Sequence, residues 1–105
     1  MFPRLMCLTS ALALTTGAAQ AEKSFNRIAA FPVVQNMTAG EDQTRETSPE
    51  IIDATADGTT LVYTDSPMQA LGLIDITDPA KPAPKGNIAL PGEPTSVAVI
   101  GSTAY

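Results

Sequence analysis

Residues 49–63 read PEIIDATADGTTLVY, and residues 94–105 read PTSVAVIGSTAY. Each stretch runs from a proline through a short apolar segment and a turn to a second apolar segment that ends in tyrosine. Pro94 follows Pro49 by 45 residues, and Tyr105 follows Tyr63 by 42 residues. The chain therefore contains one repeat unit and the beginning of a second, both built from short strands.

Turn residues divide residues 49–93 into four segments. Glycine readily takes a positive φ, and proline cannot continue a ladder, so these residue types mark the ends of strands. The turns fall at Asp57-Gly58, Ser66-Pro67, Asp78-Pro79 and Pro91-Gly92, and the predicted strands are residues 51–55, 61–64, 71–77 and 86–90. Four short strands in a repeat of about 40–50 residues are typical of one blade of a β-propeller.

The third predicted strand, LGLIDIT, has apolar residues on both faces at Leu73, Ile74 and Ile76. This pattern suits a blade stacked between neighbouring blades better than a strand with one solvated face. The predicted fold class is all-β: a fragment of a β-propeller, with one four-stranded blade (residues 49–93) and the truncated start of a second (residues 94–105).

Residues 22–48 precede the blade. Residues 23–34, KSFNRIAAFPVV, predict a strand, with Pro32 at an edge or an end because proline donates no ladder hydrogen bond. Residues 35–48 are polar and predict a loop. The triplet Asn36-Met37-Thr38 matches a glycosylation acceptor, which we interpret as a chance match.

Residues 1–21 have the three parts of a secretory signal peptide. Arg4 supplies the positive charge, residues 5–15 are mostly apolar, and Ala19-Gln20-Ala21 is an A-x-A cleavage site. The apolar run is too short to span a bilayer. The sequence thus predicts cleavage before Glu22, no membrane span afterwards, and a periplasmic or secreted protein.

Composition excludes several classes of chemistry. The only cysteine, Cys7, lies in the predicted signal peptide, and histidine is absent from the chain. The mature chain would therefore lack disulfides, a cysteine zinc site and the commonest catalytic base. The net charge is −5 with no basic patch, so nucleic acid is not an expected partner.

Residues 72–105, GLIDITDPAKPAPKGNIALPGEPTSVAVIGSTAY, resemble the bacterial LVIVD-type repeat of extracellular β-propellers. The matching motifs are I-D-I-T-D-P at residues 74–79, then Pro82, Gly86 and Pro91-Gly92, then V-A-V-x-G-x-x-A-Y at residues 97–105. Upstream, residues 25–33 and 48–72 look like the start of secreted bacterial propellers, some of them labelled phytase-like or alkaline-phosphatase-like.

The resemblance implies a propeller of several such units. The chain would be its N-terminal fragment, with the missing C-terminal blades as its partners, and residues 25–34 would close the ring. The resemblance favours a binding or structural scaffold of the cell envelope, inactive alone. The alternatives are a truncated phytase-like or alkaline-phosphatase-like phosphoesterase and a small self-sufficient β domain. A lone unit is expected to be marginally stable, because such repeats need about three copies.

Acidic residues near predicted strand ends suggest a calcium site. Glu50, Asp53 and Asp65 could contribute oxygen ligands, of which calcium needs six to eight. The competing interpretation is that they are solvated turn residues, since no D-x-D-x-D-G spacing occurs. Metal ligands are left unassigned, no cofactor is predicted for this chain, and calcium is a candidate cofactor only for a full-length protein.

Thr64-Asp65-Ser66 could place a phosphoryl-transfer nucleophile beside a carboxylate, but the usual histidine base is missing. A strand end followed by a loop is the favoured interpretation. Asp75 and Asp78 are predicted to be turn and blade-edge residues, and Met37 and Met68 ordinary apolar contacts. The sequence assigns no catalytic and no cofactor-binding residue.

Overall fold

A computed structural model describes residues 23–105. The predicted signal peptide, with Cys7, lies outside the described residues. Within them the fold is all-β, with no α-helix and one short 3-10 helix at Val33–Asn36. The strands are β1 (Pro49–Ala54), β2 (Thr60–Asp65), β3 (Ala70–Asp75), β4 (Ala83–Ala89), β5 (Val99–Ile100) and β6 (Thr103–Ala104). No helix among residues 23–105 is long and apolar enough to cross a membrane.

The first four strands form one antiparallel sheet in chain order, β1-β2-β3-β4. The prediction of four short strands is confirmed, although each boundary moves by one to three residues. β5 and β6 pair with each other as a separate two-stranded hairpin. The coarse prediction of an all-β unit followed by a second hairpin therefore agrees with the structure.

The predicted turns form for the expected reasons. Gly58 has a φ of 71° and donates its N–H to the Thr55 carbonyl oxygen at 2.9 Å, which closes the β1–β2 turn. Pro79 follows Asp78 in a turn closed by the N–H of Lys81 on the Asp78 carbonyl oxygen at 2.9 Å. Gly58 thus supplies the positive φ that the first turn needs, and Pro79 supplies the fixed φ of the second.

Both edge strands carry a β-bulge. On β1 the register shifts between Pro49 and Ile52. On β4 it shifts where Leu73 pairs with Gly86 and Ile74 with Pro84, and Gly86 takes a φ of 91°. β4 starts at Ala83, earlier than predicted, because a proline is tolerated at a bulge on an edge strand.

The strand predicted over residues 23–34 does not form. Residues 23–32 contain no regular element, and Phe25 is 99% exposed. An extended segment needs a neighbouring strand to satisfy its ladder, and no strand of the described chain pairs with it. The turn of 3-10 helix at Val33–Asn36 begins directly after Pro32. The prediction of a strand here is wrong for this chain, and the polar loop prediction holds from Met37 to Ser48.

The four-stranded sheet has two apolar faces. Side chains alternate between the faces along each strand, and register partners share a face. One face, here called the groove face, carries Val62 of β2, Leu71 and Leu73 of β3, and Ile88 of β4. The other, the strap face, carries Ile52, Tyr63, Gly72 and Ile74. Each face is covered by a different part of the chain.

Candidate functional site

Residues 31–37, here called the strap, lie over the strap face. Phe31 and Val33 line a small cavity of about 250 Å³ together with Ile52, Tyr63 and Ile74. Asn36 is the most deeply buried residue of the strap, at 2% exposure. The strap therefore lies over the part of the strap face that β3 and β4 form, and it also lies over Tyr63 of β2.

Asn36 joins the strap to two strands. Its Nδ2 donates to the hydroxyl of Tyr63 at 2.9 Å. Its Oδ1 accepts the backbone N–H of Gly86, at the β4 bulge, at 3.0 Å. A bulge frees a backbone N–H from the ladder, and an unpaired buried N–H is costly. Asn36 thus supplies the partner that the bulge needs.

Tyr63 is 2% exposed, and its ring lies against Gly72, its register partner on β3. Burial raises the pKa of the Tyr63 hydroxyl above its ordinary value of 10.0, against the opposing effect of the hydrogen bond from Asn36. The hydroxyl therefore stays protonated at neutral pH and is held in a structural contact. This arrangement identifies Tyr63 as part of the core.

The second hairpin, β5–β6, lies beside the groove face. The carboxylate of Asp53 accepts the backbone N–H of Val99 at 2.7 Å through Oδ2. The backbone N–H of Ala56 donates to the carbonyl oxygen of Gly101 at 3.0 Å. A further hydrogen bond joins the segment between β4 and β5 to the sheet. Ser66 Oγ donates to the Pro94 carbonyl oxygen at 2.9 Å. The beginning of the second repeat is therefore fixed to the first by polar contacts.

An open groove of about 640 Å³ remains between this hairpin and the groove face. Val62, Leu71, Leu73 and Ile88 form its apolar part. Lys85 lies in the groove and donates from Nζ to Thr60 Oγ1 at 3.0 Å. The hairpin contributes Val99 and Thr103 to the opposite wall. The floor of the groove is thus a row of aliphatic side chains, and polar side chains, Asp57 and Lys85 among them, also line it.

The three residues of the calcium hypothesis are not brought together as a ligand set. Asp65 pairs with Pro49 at one end of the β1–β2 ladder, and Asp53 pairs with Val62 towards the other. Glu50 is exposed and accepts a hydrogen bond from Ser48 Oγ at 3.4 Å. Among residues 23–105, no group of three or more acidic, histidine or cysteine side chains is placed to hold a metal ion.

The two aspartates already have backbone partners. Asp53 accepts the N–H of Ala54 at 2.8 Å as well as that of Val99. These two backbone hydrogen bonds, that of Val99 first, hold the pKa of Asp53 below its ordinary value. Asp65 is 3% exposed, and its Oδ1 accepts the N–H groups of Ser48 at 3.1 Å and Met68 at 3.3 Å. Both side chains organise backbone in this chain.

The proposed nucleophile cluster is likewise occupied by structural bonds. Thr64 is 1% exposed, and its Oγ1 accepts the N–H of Ile51 at the β1 bulge at 3.1 Å. Ser66 is committed to Pro94, as described above. Thr64, Asp65 and Ser66 therefore stabilise a strand end and the following turn, which agrees with the favoured interpretation.

The predicted turn roles of Asp75 and Asp78 are confirmed. Asp75 Oδ1 accepts the N–H and the hydroxyl of Thr77 at 2.9 and 2.7 Å, which lowers the pKa of Asp75. Asp78 Oδ1 accepts the N–H of Ala80 at 3.1 Å. Met68 is buried, and Met37 is half-buried, as expected of apolar contacts.

Sequence reasoning missed Asn36, which it considered only as part of a glycosylation triplet. The signal that could have found it is weak: a lone asparagine in a polar segment next to an apolar Phe-Pro-Val-Val run. Its partners lie 27 and 50 residues away along the chain, so no local pattern indicates them.

Comparisons with known proteins add no family or function. No protein-family model, curated protein or solved structure matches this chain. The class that the fold defines is therefore an all-β unit, a four-stranded antiparallel sheet with a strap on one face and a second hairpin beside the other.

Proposed function

We propose that this chain is the N-terminal part of an exported β-propeller repeat protein that serves as a binding or structural scaffold of the cell envelope. The observation that carries the proposal is the position of the second hairpin. Residues 94–105 repeat the pattern of residues 49–63, and their strands are held against the first unit through Asp53 and Val99. Consecutive repeat units that contact each other in this way are typical of propellers and other repeat proteins.

The sheet itself supports the same proposal. Its four strands are short and follow one another in chain order, as in a propeller blade. Both faces are apolar, and the groove face is covered only beside the hairpin. A sheet with two apolar faces needs a neighbour on each, and in a propeller the neighbours are other blades. The proposed partners of the groove face are thus further C-terminal blades.

Reading the gene beyond the codon for Tyr105 tests this directly. We expect further units with the Asp-Pro, Pro-Gly and Val-x-Val-x-Gly motifs, which bring the total to at least about three, the number that repeat folds need for stability. A stop codon at that point, together with a monomeric residue 22–105 chain that unfolds cooperatively, would instead make this a self-sufficient domain.

Export and localisation are part of the proposal. The support is the sequence of residues 1–21, with its apolar run and A-x-A site. Expression of the complete chain in a bacterial host, followed by mass spectrometry of the periplasmic and cytoplasmic fractions, tests it. We expect a periplasmic product that begins at Glu22, and an uncleaved cytoplasmic product would argue against export.

The phosphoesterase alternative gains no support from the described side chains, because Thr64 and Ser66 are both engaged in structural hydrogen bonds. An assay of the full-length protein on phytate and p-nitrophenyl phosphate, with calcium and with a chelator, separates the two functions. Calcium-dependent turnover would replace the scaffold proposal with the enzyme.

A further inference from the structure

The hairpin formed by β5 and β6 repeats the pairing of β1 and β2. In the first unit, Tyr63 of the second strand pairs with Ile52 of the first. In the hairpin, Tyr105 follows β6 and exchanges two backbone hydrogen bonds, of 2.8 and 3.1 Å, with Ala98 on the β5 side. Each tyrosine also ends the second apolar segment of its unit in the sequence. Tyr105 therefore occupies the position of Tyr63, and β5 and β6 correspond to β1 and β2.

The two outer edges of this hairpin differ. The β5 edge faces the first unit: the Val99 N–H donates to Asp53 at 2.7 Å, and the Gly101 carbonyl oxygen accepts a backbone N–H at 3.0 Å. On the other side, β6 pairs with β5 alone among the strands of residues 23–105. Because Tyr105 exchanges its bonds with the β5 side, alternation along the strand turns the N–H of Ala104 away from β5. The edge of β6 thus offers backbone groups to another strand.

In the first unit the corresponding edge is occupied. β3 pairs with β2 on the side away from β1, and in that ladder Tyr63 faces Gly72. The Tyr63 ring fills the space that a side chain at Gly72 would need. With β3 in place Tyr63 is 2% exposed, whereas Tyr105 is 74% exposed. The edge of β6 and the exposed ring of Tyr105 therefore mark the position that β3 holds in the first unit.

We propose that the edge of β6 is the docking site of one further β-strand, and that Tyr105 selects a strand with glycine opposite its ring. The proposal rests on the proposed function and names the occupant, which is the third strand of the second repeat unit in the same polypeptide. A Cβ atom opposite Tyr105 would meet the ring, as a Cβ atom on Gly72 would overlap Tyr63. The docked strand consequently carries glycine between aliphatic residues, as residues 70–75, ALGLID, do.

The test adds such a strand to the complete chain. A copy of residues 64–77, TDSPMQALGLIDIT, is fused directly after Tyr105. The copied glycine then follows Tyr105 by the same nine residues (72 − 63) that separate Gly72 from Tyr63. We expect the Ala104 amide to exchange with solvent at least about tenfold more slowly than in the unmodified chain, while the amides of β2 keep their protection.

The matched control has valine in place of the copied Gly72. It keeps a strand of the same length and adds the side chain that the Tyr105 ring would exclude, so Ala104 should exchange as in the unmodified chain. Tyr105→Ala in the valine version should restore protection of Ala104, because the excluding ring is gone. Equal protection from the glycine and the valine copies would overturn the proposal, since Tyr105 would then not select its partner.

Three other results would also contradict the proposal. Unchanged exchange of Ala104 with the glycine copy would mean that the edge of β6 accepts no strand. Loss of protection in β2 would mean that the copy displaces β3 instead of pairing with β6. An unmodified chain that is dimeric by size-exclusion chromatography, with Ala104 already protected, would mean that a second copy occupies the edge. The experiment supplies the strand itself, so a stop codon after Tyr105 would remove the proposed function and leave this result standing.

Discussion

Tyr63 and Gly72 are register partners on adjacent central strands, and the tyrosine ring fills the space that a side chain at Gly72 would occupy. A Cβ atom built on Gly72 would overlap the Cζ, Oη and Cε1 atoms of Tyr63. The ring cannot move aside easily, because its hydroxyl is held by Asn36 and the residue is buried. The glycine therefore allows the largest side chain of the strap face to lie flat on the sheet.

Gly72→Ala should consequently destabilise the fold by about 1–3 kcal/mol, the usual cost of forcing an extra methyl group into a packed core. Urea denaturation followed by circular dichroism measures the change. Gly92→Ala is the matched control, because a Cβ atom there meets nothing within 4 Å. Equal stability of the two variants would show that the Tyr63 ring has another place to go.

The β1–β2 turn gives a second prediction. Gly58 has a φ of 71°, a conformation that asparagine tolerates better than alanine and that β-branched residues tolerate worst. We expect stability to fall in the order Gly, Asn, Ala, Val at this position, with Gly58→Ala costing about 1 kcal/mol. Since a Cβ atom at Gly58 also meets nothing within 4 Å, the order reports backbone strain alone. Urea midpoints in any other order would contradict it.

The sequence predicts the strands and turns because their causes are local. Short apolar runs and the turn residues at Asp57-Gly58 and Asp78-Pro79 each act within a few residues. The strand predicted in the N-terminal segment does not form, for a physical reason. A strand exists only beside a partner strand, and residues 23–32 have none among the described strands. A local pattern contains no information about that partner.

The contacts of the candidate site could not be predicted for a related reason. Asn36 meets Gly86 across 50 residues, and Asp53 meets Val99 across 46. Both are single polar side chains whose partner is a backbone N–H, and a backbone N–H is present at nearly every position. Asp53 and Asp65, which looked like ligands in the sequence, are instead the partners of such groups.

The docking of the second hairpin should depend on pH through Asp53. The hydrogen bonds from Val99 and Ala54 place its folded-state pKa below the ordinary value of 3.8. The contact is therefore fully stabilised above that value and weakens as the pH falls through the folded-state pKa. We expect protection of the Val99 amide against hydrogen exchange, relative to the intrinsic rate, to be lost on acidification below about pH 4.

Asp53→Asn should remove the charge and this pH dependence together, and it should leave Val99 weakly protected at neutral pH. Asp42→Asn is the control, because the pKa of Asp42 is also lowered, but by hydrogen bonds from Thr44 two residues away in the same loop. Loss of Val99 protection in the Asp42 variant would mean that acidification acts on the whole chain and not through Asp53.

Thr64 distinguishes a structural from a catalytic interpretation of the Thr64-Asp65-Ser66 cluster. Its hydroxyl accepts the Ile51 N–H at the β1 bulge, so Thr64→Val, which keeps the shape and removes the acceptor, should cost about 1 kcal/mol and speed exchange of the Ile51 amide. Thr64→Ser keeps the acceptor and should preserve Ile51 protection, although the lost methyl group costs a comparable amount of stability. A nucleophile would behave differently: Thr64→Val would abolish phosphatase turnover of the full-length protein and leave the Ile51 amide unchanged. Since Thr64 is 1% exposed, a substrate could not reach it without opening the sheet, and we expect the structural outcome.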